Sequence, residues 1–142
     1  MGYDRKVAAI QPDSTWEAAI TLSTTGDKAN CLIMSPITVY RIGILVTTAL
    51  TVTALVADFD RRILPNSDTG RVDQGVGRIT APAAAQAIGK VLYKDVAKDL
   101  NPGDEIVFAV NTAPPAGAGV PFIEYALRDE APENLTDLVK SS

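Results

Sequence analysis

Asp58 and Asp60 stand two residues apart in a β-branched, apolar stretch, so on a strand both carboxylates point to one face. Such a pair could bind a metal or share acid–base work. Arg61 and Arg62 follow at once, no acid stands opposite for a two-carboxylate hydrolase, and the spacing reads as a solvated strand end with ion pairs. The chain has no histidine, which excludes Ser-His-Asp and Cys-His catalysis, His-ligated zinc and a histidine pH switch. Its one cysteine, Cys31, lies beside Leu32, Ile33 and Met34; it can form neither an intramolecular disulfide nor a CxxC site, and it reads as a buried small hydrophobe. Asn66-Ser67-Asp68-Thr69-Gly70 with Asp73 has oxygen ligands but misses the calcium-loop pattern, because Gly70 falls where an acid belongs and no Glu closes the loop; a polar turn is expected. Gly75-Val76-Gly77 is not a dinucleotide fingerprint, and no phosphate-loop lysine motif occurs. No cofactor or metal is expected, and the chain is read as a non-enzyme.

Arg61, Arg62, Arg71 and Arg78 form the densest basic group, but Asp58, Asp60, Asp68 and Asp73 are interleaved with them. That neutralised field, and a formal charge of −4 from 13 basic and 17 acidic residues, argue against nucleic acid as a partner. Pairing of these guanidiniums with carboxylates across a protein interface is the reading preferred here.

The elements that must position these groups are strands. The chain of 142 residues holds one domain's worth of sequence, and 46% of it is hydrophobic. Thirteen Val, eleven Ile and thirteen Thr favour pleated, half-buried surfaces. Turn signals recur at Gln11-Pro12-Asp13, Thr25-Gly26-Asp27, Ser35-Pro36, Leu64-Pro65-Asn66, Asn101-Pro102-Gly103-Asp104 and Pro114-Pro115-Ala116-Gly117. This pattern predicts a single all-β sandwich, jelly-roll-like, with eight or nine strands and arms over about 1–13 and 128–142. Strands are expected at Val7–Ile10, Trp16–Ser23, Asn30–Met34, Ile37–Thr47, Thr51–Ile63, Gly77–Ala81, Lys90–Val96, Glu105–Asn111 and Pro121–Leu127. Tyr40, Ile42, Ile44 and Val46 are placed on one face, and Glu105–Asn111, apolar on both faces, is placed centrally. Pro82–Leu100 is read as an Ala-rich loop, with a helix as the alternative, leading into a strand.

Ile42–Ala57 is uncharged but contains Gly43 and four threonines and falls short of about 20 apolar residues, so two buried strands are expected there and no membrane span. The opening MGYDRKVAAIQPD shows no apolar signal core. In the last segment, Leu135, Leu138 and Val139 follow Pro132 at a spacing that suits one amphipathic turn against a partner or against the domain itself.

Leu100-Asn101-Pro102-Gly103-Asp104-Glu105-Ile106-Val107-Phe108-Ala109-Val110, then the Ala/Pro/Gly loop, Phe122-Ile123-Glu124-Tyr125 and an acidic tail resemble the small head-decoration (cement) proteins of tailed bacteriophages. The resemblance covers Gly89–Ser142. It implies a structural protein on the capsid exterior, made in the host cytoplasm, that binds the major capsid protein and stabilises the shell as a trimer or, second, a dimer. The interface residues expected on that basis are Tyr3, Arg5, Arg61, Arg62, Arg71, Pro114, Pro115, Val120, Leu135, Leu138 and Val139. The alternatives are another virion component, such as a tail or fibre module, and a carbohydrate- or receptor-binding sandwich.

Overall fold

A computed structural model describes residues 5–10, 19–51, 53–64 and 70–128. Nine strands are formed among them: β1 Lys6–Ala9, β2 Ile20–Thr21, β3 Gly26–Leu32, β4 Ile37–Thr48, β5 Leu55–Arg62, β6 Arg71–Ala81, β7 Val91–Leu100, β8 Glu105–Thr112 and β9 Ala118–Leu127. The uncharged Ile42–Ala57 stretch is divided between β4 and β5, as its Gly and Thr content requires. Pro82–Lys90 is a connection without helix, and the strand after it runs four residues beyond the expected Val96 end. A strand is expected from Gly77; the observed β6 begins at Arg71, because Arg71 and Val72 resume the pairing with Arg62 and Arg61 beyond an irregularity.

Strand pairing is nested. β5 pairs with β6, β4 with β7, β3 with β8 and β2 with β9, all antiparallel, as if one long two-stranded ribbon were closed at the β5–β6 end. Additional pairs, β4 with β9 and β5 with β8, roll that ribbon into two sheets. The first sheet has the order β1-β9-β4-β7, with β2 also on β9; the second has β3-β8-β5-β6. This pairing is that of a jelly-roll sandwich.

The core lies between the sheets. From the first sheet come Val39, Ile42, Ile44, Val46 and Ile123; from the second, Leu55, Ala57, Phe59, Ile106, Phe108 and Val110. Phe59 and Phe108 meet edge to face with centroids 5.1 Å apart. The expected face of β4 needs one correction. The pairing of β4 shifts between Val39 and Arg41, so Val39 joins Ile42, Ile44 and Val46 in the core, while Tyr40 leaves that face and carries the Arg5 guanidinium over its ring at 4.2 Å. β8 is central, as its two apolar faces predict.

Candidate interaction surface

The two outward sheet faces differ in chemistry. On the second sheet, cross-strand partners share a face, and the register sets Asp58 beside Arg78 and Ala109, and Asp60 beside Val107. Arg78 forks onto Asp58, donating from Nε to Oδ1 at 2.6 Å and from Nη2 to Oδ2 at 3.0 Å, and Asn111 donates to the same carboxylate. Arg71 donates from Nε to Asp60 Oδ2 at 2.7 Å and from Nη1 to both oxygens of Asp27, at 2.7 and 2.9 Å. The Gln74 amide, at a residue with positive φ, donates to Asp60 Oδ1 at 2.5 Å. Arg62 lies 3.2 Å from Glu105, which also accepts from Asn30 at 2.6 Å.

These contacts correct the expectation of a solvated strand end. Asp58 and Asp60 are buried, because arginines from the neighbouring strand lie across them. Burial pushes the Asp60 carboxyl above its usual range, opposed by the Gln74 amide and by Arg71. Burial works against the Arg71 cation, but its bonds to Asp60 and Asp27 outweigh that and raise its pKa. The guanidinium–carboxylate pairing expected across an interface is thus made within this chain. Arg62 is itself buried and cannot meet a partner; Arg61 is spent on Asp104, with its Nε 3.3 Å from that carboxylate; Arg71 is mostly covered. Among the described residues, no group of three acids, cysteines or histidines could hold a metal ion.

The outward face of the first sheet is built in rows. Register aligns Val120, Leu45 and Val91 in one row, Ala9, Phe122, Gly43 and Tyr93 in the next, and Val7, Glu124, Arg41 and Asp95 in a third. Leu45, Val91 and Tyr93 are 39%, 44% and 57% exposed. Gly43 sits in the middle row because the Phe122 ring lies where its side chain would be; any Cβ there would overlap that ring. The third row closes the patch with charge: Arg41 Nε donates to Asp95 at 2.8 Å, its Nη1 lies 3.7 Å from Glu124, and its guanidinium stacks over Tyr93 at 4.4 Å. The bond to Asp95 raises the Arg41 pKa. The arrangement is an apolar, aromatic patch with a self-neutralised polar border, which suits flat packing and offers no reactive group.

The expected interface residues are scattered over the molecule. Val120 lies in this patch, and Arg5 borders it, 3.2 Å from Glu124. Pro115 is exposed on the loop at the far end, whereas Pro114 is buried, correcting its placement on an interface. Tyr3, Leu135, Leu138 and Val139 lie outside the described residues. Leu45, Val91, Tyr93 and Phe122 were missed. The signal for them was the outward half of the alternation in β4, β7 and β9, which becomes legible only when those strands are known to be neighbours.

No protein-family model matches the chain, and no curated protein matches it. Among solved structures, the chain is similar to the Eiger TNF structure from S. frugiperda, with a TM-score of 0.46 and 11% identity over 97% of this chain and 99% of that one. At that level the likeness carries no functional argument, and the jelly-roll assignment rests on the strand pairing itself.

Proposed function

We propose that this protein is a structural binding module that holds other protein in place, and specifically that it decorates the outside of an assembled phage capsid and bridges major capsid protein subunits. The observation that supports this reading is the contrast between the two sheet faces. One is closed by its own ion pairs, and the other leaves Leu45, Val91 and Tyr93 open beside Val120 and Phe122. Apolar and aromatic side chains at the centre of a patch with a polar rim are the composition of protein-binding surfaces. A protein that binds only the assembled shell shifts the shell toward that state by mass action, and attachment as a trimer or dimer multiplies the effect. On this reading the protein is made in the host cytoplasm and works on the virion exterior.

The test is co-sedimentation with expanded phage heads. Wild type should pellet with the heads and saturate, and Tyr93→Asp or Leu45→Asp should weaken binding by about tenfold or more, as expected for central interface residues. Failure to pellet with any expanded head, or full binding by both variants, overturns the proposal. A second reading, carbohydrate or receptor binding, is favoured by the exposure of the Tyr93 side chain in this patch; glycan binding by the isolated protein, lost in Tyr93→Ala, would select it.

A further inference from the structure

Each sheet ends in an unpaired strand on the same side of the sandwich. β7 ends the first sheet and β6 the second, and among the described residues neither has a second strand beside it. The two edges touch at Gly77. A Cβ there would lie 2.8 Å from Ile42 Cδ1 and 3.1 Å from Val96 Cγ1, so the missing side chain is what lets β6 close onto β7 at that point. To one side of this contact a groove of about 440 Å³ opens between residues 78–82 and residues 91–94. Ligand sites commonly measure about 300–1,000 Å³.

β7 offers this side both backbone and charge. The Val46 amide of β4 donates to the Lys90 carbonyl, so by alternation the backbone groups of Val91, Tyr93 and Asp95 face away from β4, toward the open edge. Lys94 and Lys98 stand opposite Ile42 and Val39, both core residues, so they share the core-side face of β7 with Leu92 and Val96. Along the edge that face alternates apolar and basic: Leu92, Lys94, Val96, Lys98. Neither lysine forms an ion pair among the described residues. The acids of β7, Asp95 and Asp99, lie on the opposite face, held by Arg41 and Thr38. Among the described residues no acid lines the groove; Lys94 and Arg78 do, and Arg78 is already forked onto Asp58.

We propose that this groove takes up an extended acidic segment of a partner protein as a strand added to β7, with a carboxylate at every fourth residue meeting Lys94 and Lys98 and apolar side chains between them meeting Leu92 and Val96. The added strand runs antiparallel, as every other pair in this sheet does. In such an addition the main chain supplies affinity and the alternate side chains supply selectivity. Lysines on an edge strand repel indiscriminate pairing. A segment with acids at the same four-residue interval is the partner they admit, so the same residues both exclude and select. The site is entered from the side of the sandwich and does not depend on what the outward patch of the first sheet binds.

The test uses the full chain and a blocked, fluorescent peptide, Thr-Glu-Thr-Val-Thr-Glu-Thr-Val, whose Glu and Val side chains meet Lys98, Val96, Lys94 and Leu92 in turn. It should bind saturably by anisotropy and slow amide exchange at Tyr93 and Asp95 by about tenfold or more. The same peptide with Lys in place of Glu should bind about tenfold or more weakly, and Lys94→Glu/Lys98→Glu should reverse that preference. The Glu peptide N-methylated at its threonines keeps the charge but cannot pair as a strand, and should lose binding. The amides of Ile42, Phe59 and Phe108 report that the variant is folded. No binding of the Glu peptide at about 1 mM overturns the proposal. So does equal binding of the Lys or the N-methylated peptide, or protection of Tyr93 and Asp95 that is already present without peptide and is not raised by it.

Discussion

Two acids and one thiol behave as their surroundings dictate. Asp60 is buried under Arg71, and burial holds its carboxyl above the usual range of about 4. Raised in the folded state, this carboxyl favours folding most at low pH, and that contribution is lost as pH climbs through its folded pKa. The stability advantage of wild type over Asp60→Asn should therefore shrink in thermal unfolding as pH rises through and above the ordinary aspartate range. An advantage that widens instead would mean that pairing with Arg71 outweighs burial. Removing the cation is a different matter. Arg71→Ala leaves Asp60 and Asp27 facing each other without it and should cost about 3 kcal/mol in denaturant unfolding. The Cys31 thiol is pushed up by burial and then by Glu105, so it stays protonated at neutral pH. Iodoacetamide at pH 7.5 should label it slowly in the folded protein and rapidly in denaturant; equal rates would contradict the burial.

At the scale of elements, the first sheet depends on one close approach. Phe122 of β9 lies over Gly43 of β4, its ring in the space that a side chain at position 43 would fill. Gly43→Val should force the ring out and destabilise the fold by about 1–3 kcal/mol, while also weakening any partner held by this face. Denaturant unfolding and the head-binding assay read the two effects separately. At the β7–β8 turn, the Asp104 carboxylate accepts from the Asn101 amide at 2.9 Å and holds Arg61. Asp104→Ala should cost about 1–3 kcal/mol, since it removes the acceptor for a backbone donor and for a cation in one step. A loss below the measurement error would show that the turn is held by its backbone bonds, those with Ile33 and the one from the Asp104 amide to the Asn101 carbonyl.

The whole molecule is a nest of long-range pairings, and among the described strands only the β5–β6 pair joins neighbours in sequence. β2 must find β9 and β3 must find β8 across most of the chain. Loop closure therefore precedes most of the stabilising contacts, and refolding from denaturant should fall in the millisecond-to-second range by stopped-flow fluorescence of Trp16. Complete refolding faster than about a millisecond would contradict the dominance of non-local pairing.

The sequence by itself determined the class of fold and much of its segmentation. Alternation and β-branched content located strands wherever one face is buried, and the absence of histidine removed whole families of chemistry. It also predicted that Asp58 and Asp60 share a face and that arginines would pair with acids. What it did not determine was depth or adjacency. A strand's alternation states which side chains lie together, but not whether that face meets water, a sheet or an arginine from the next strand. For that reason Asp60 reads as solvated in one dimension and is buried in three, and the surplus residue near Tyr40 reverses the face of half of β4. The open patch is likewise assembled from β4, β7 and β9, segments up to eighty residues apart. Only the nested pairing that closes the jelly roll places Leu45, Tyr93 and Phe122 side by side.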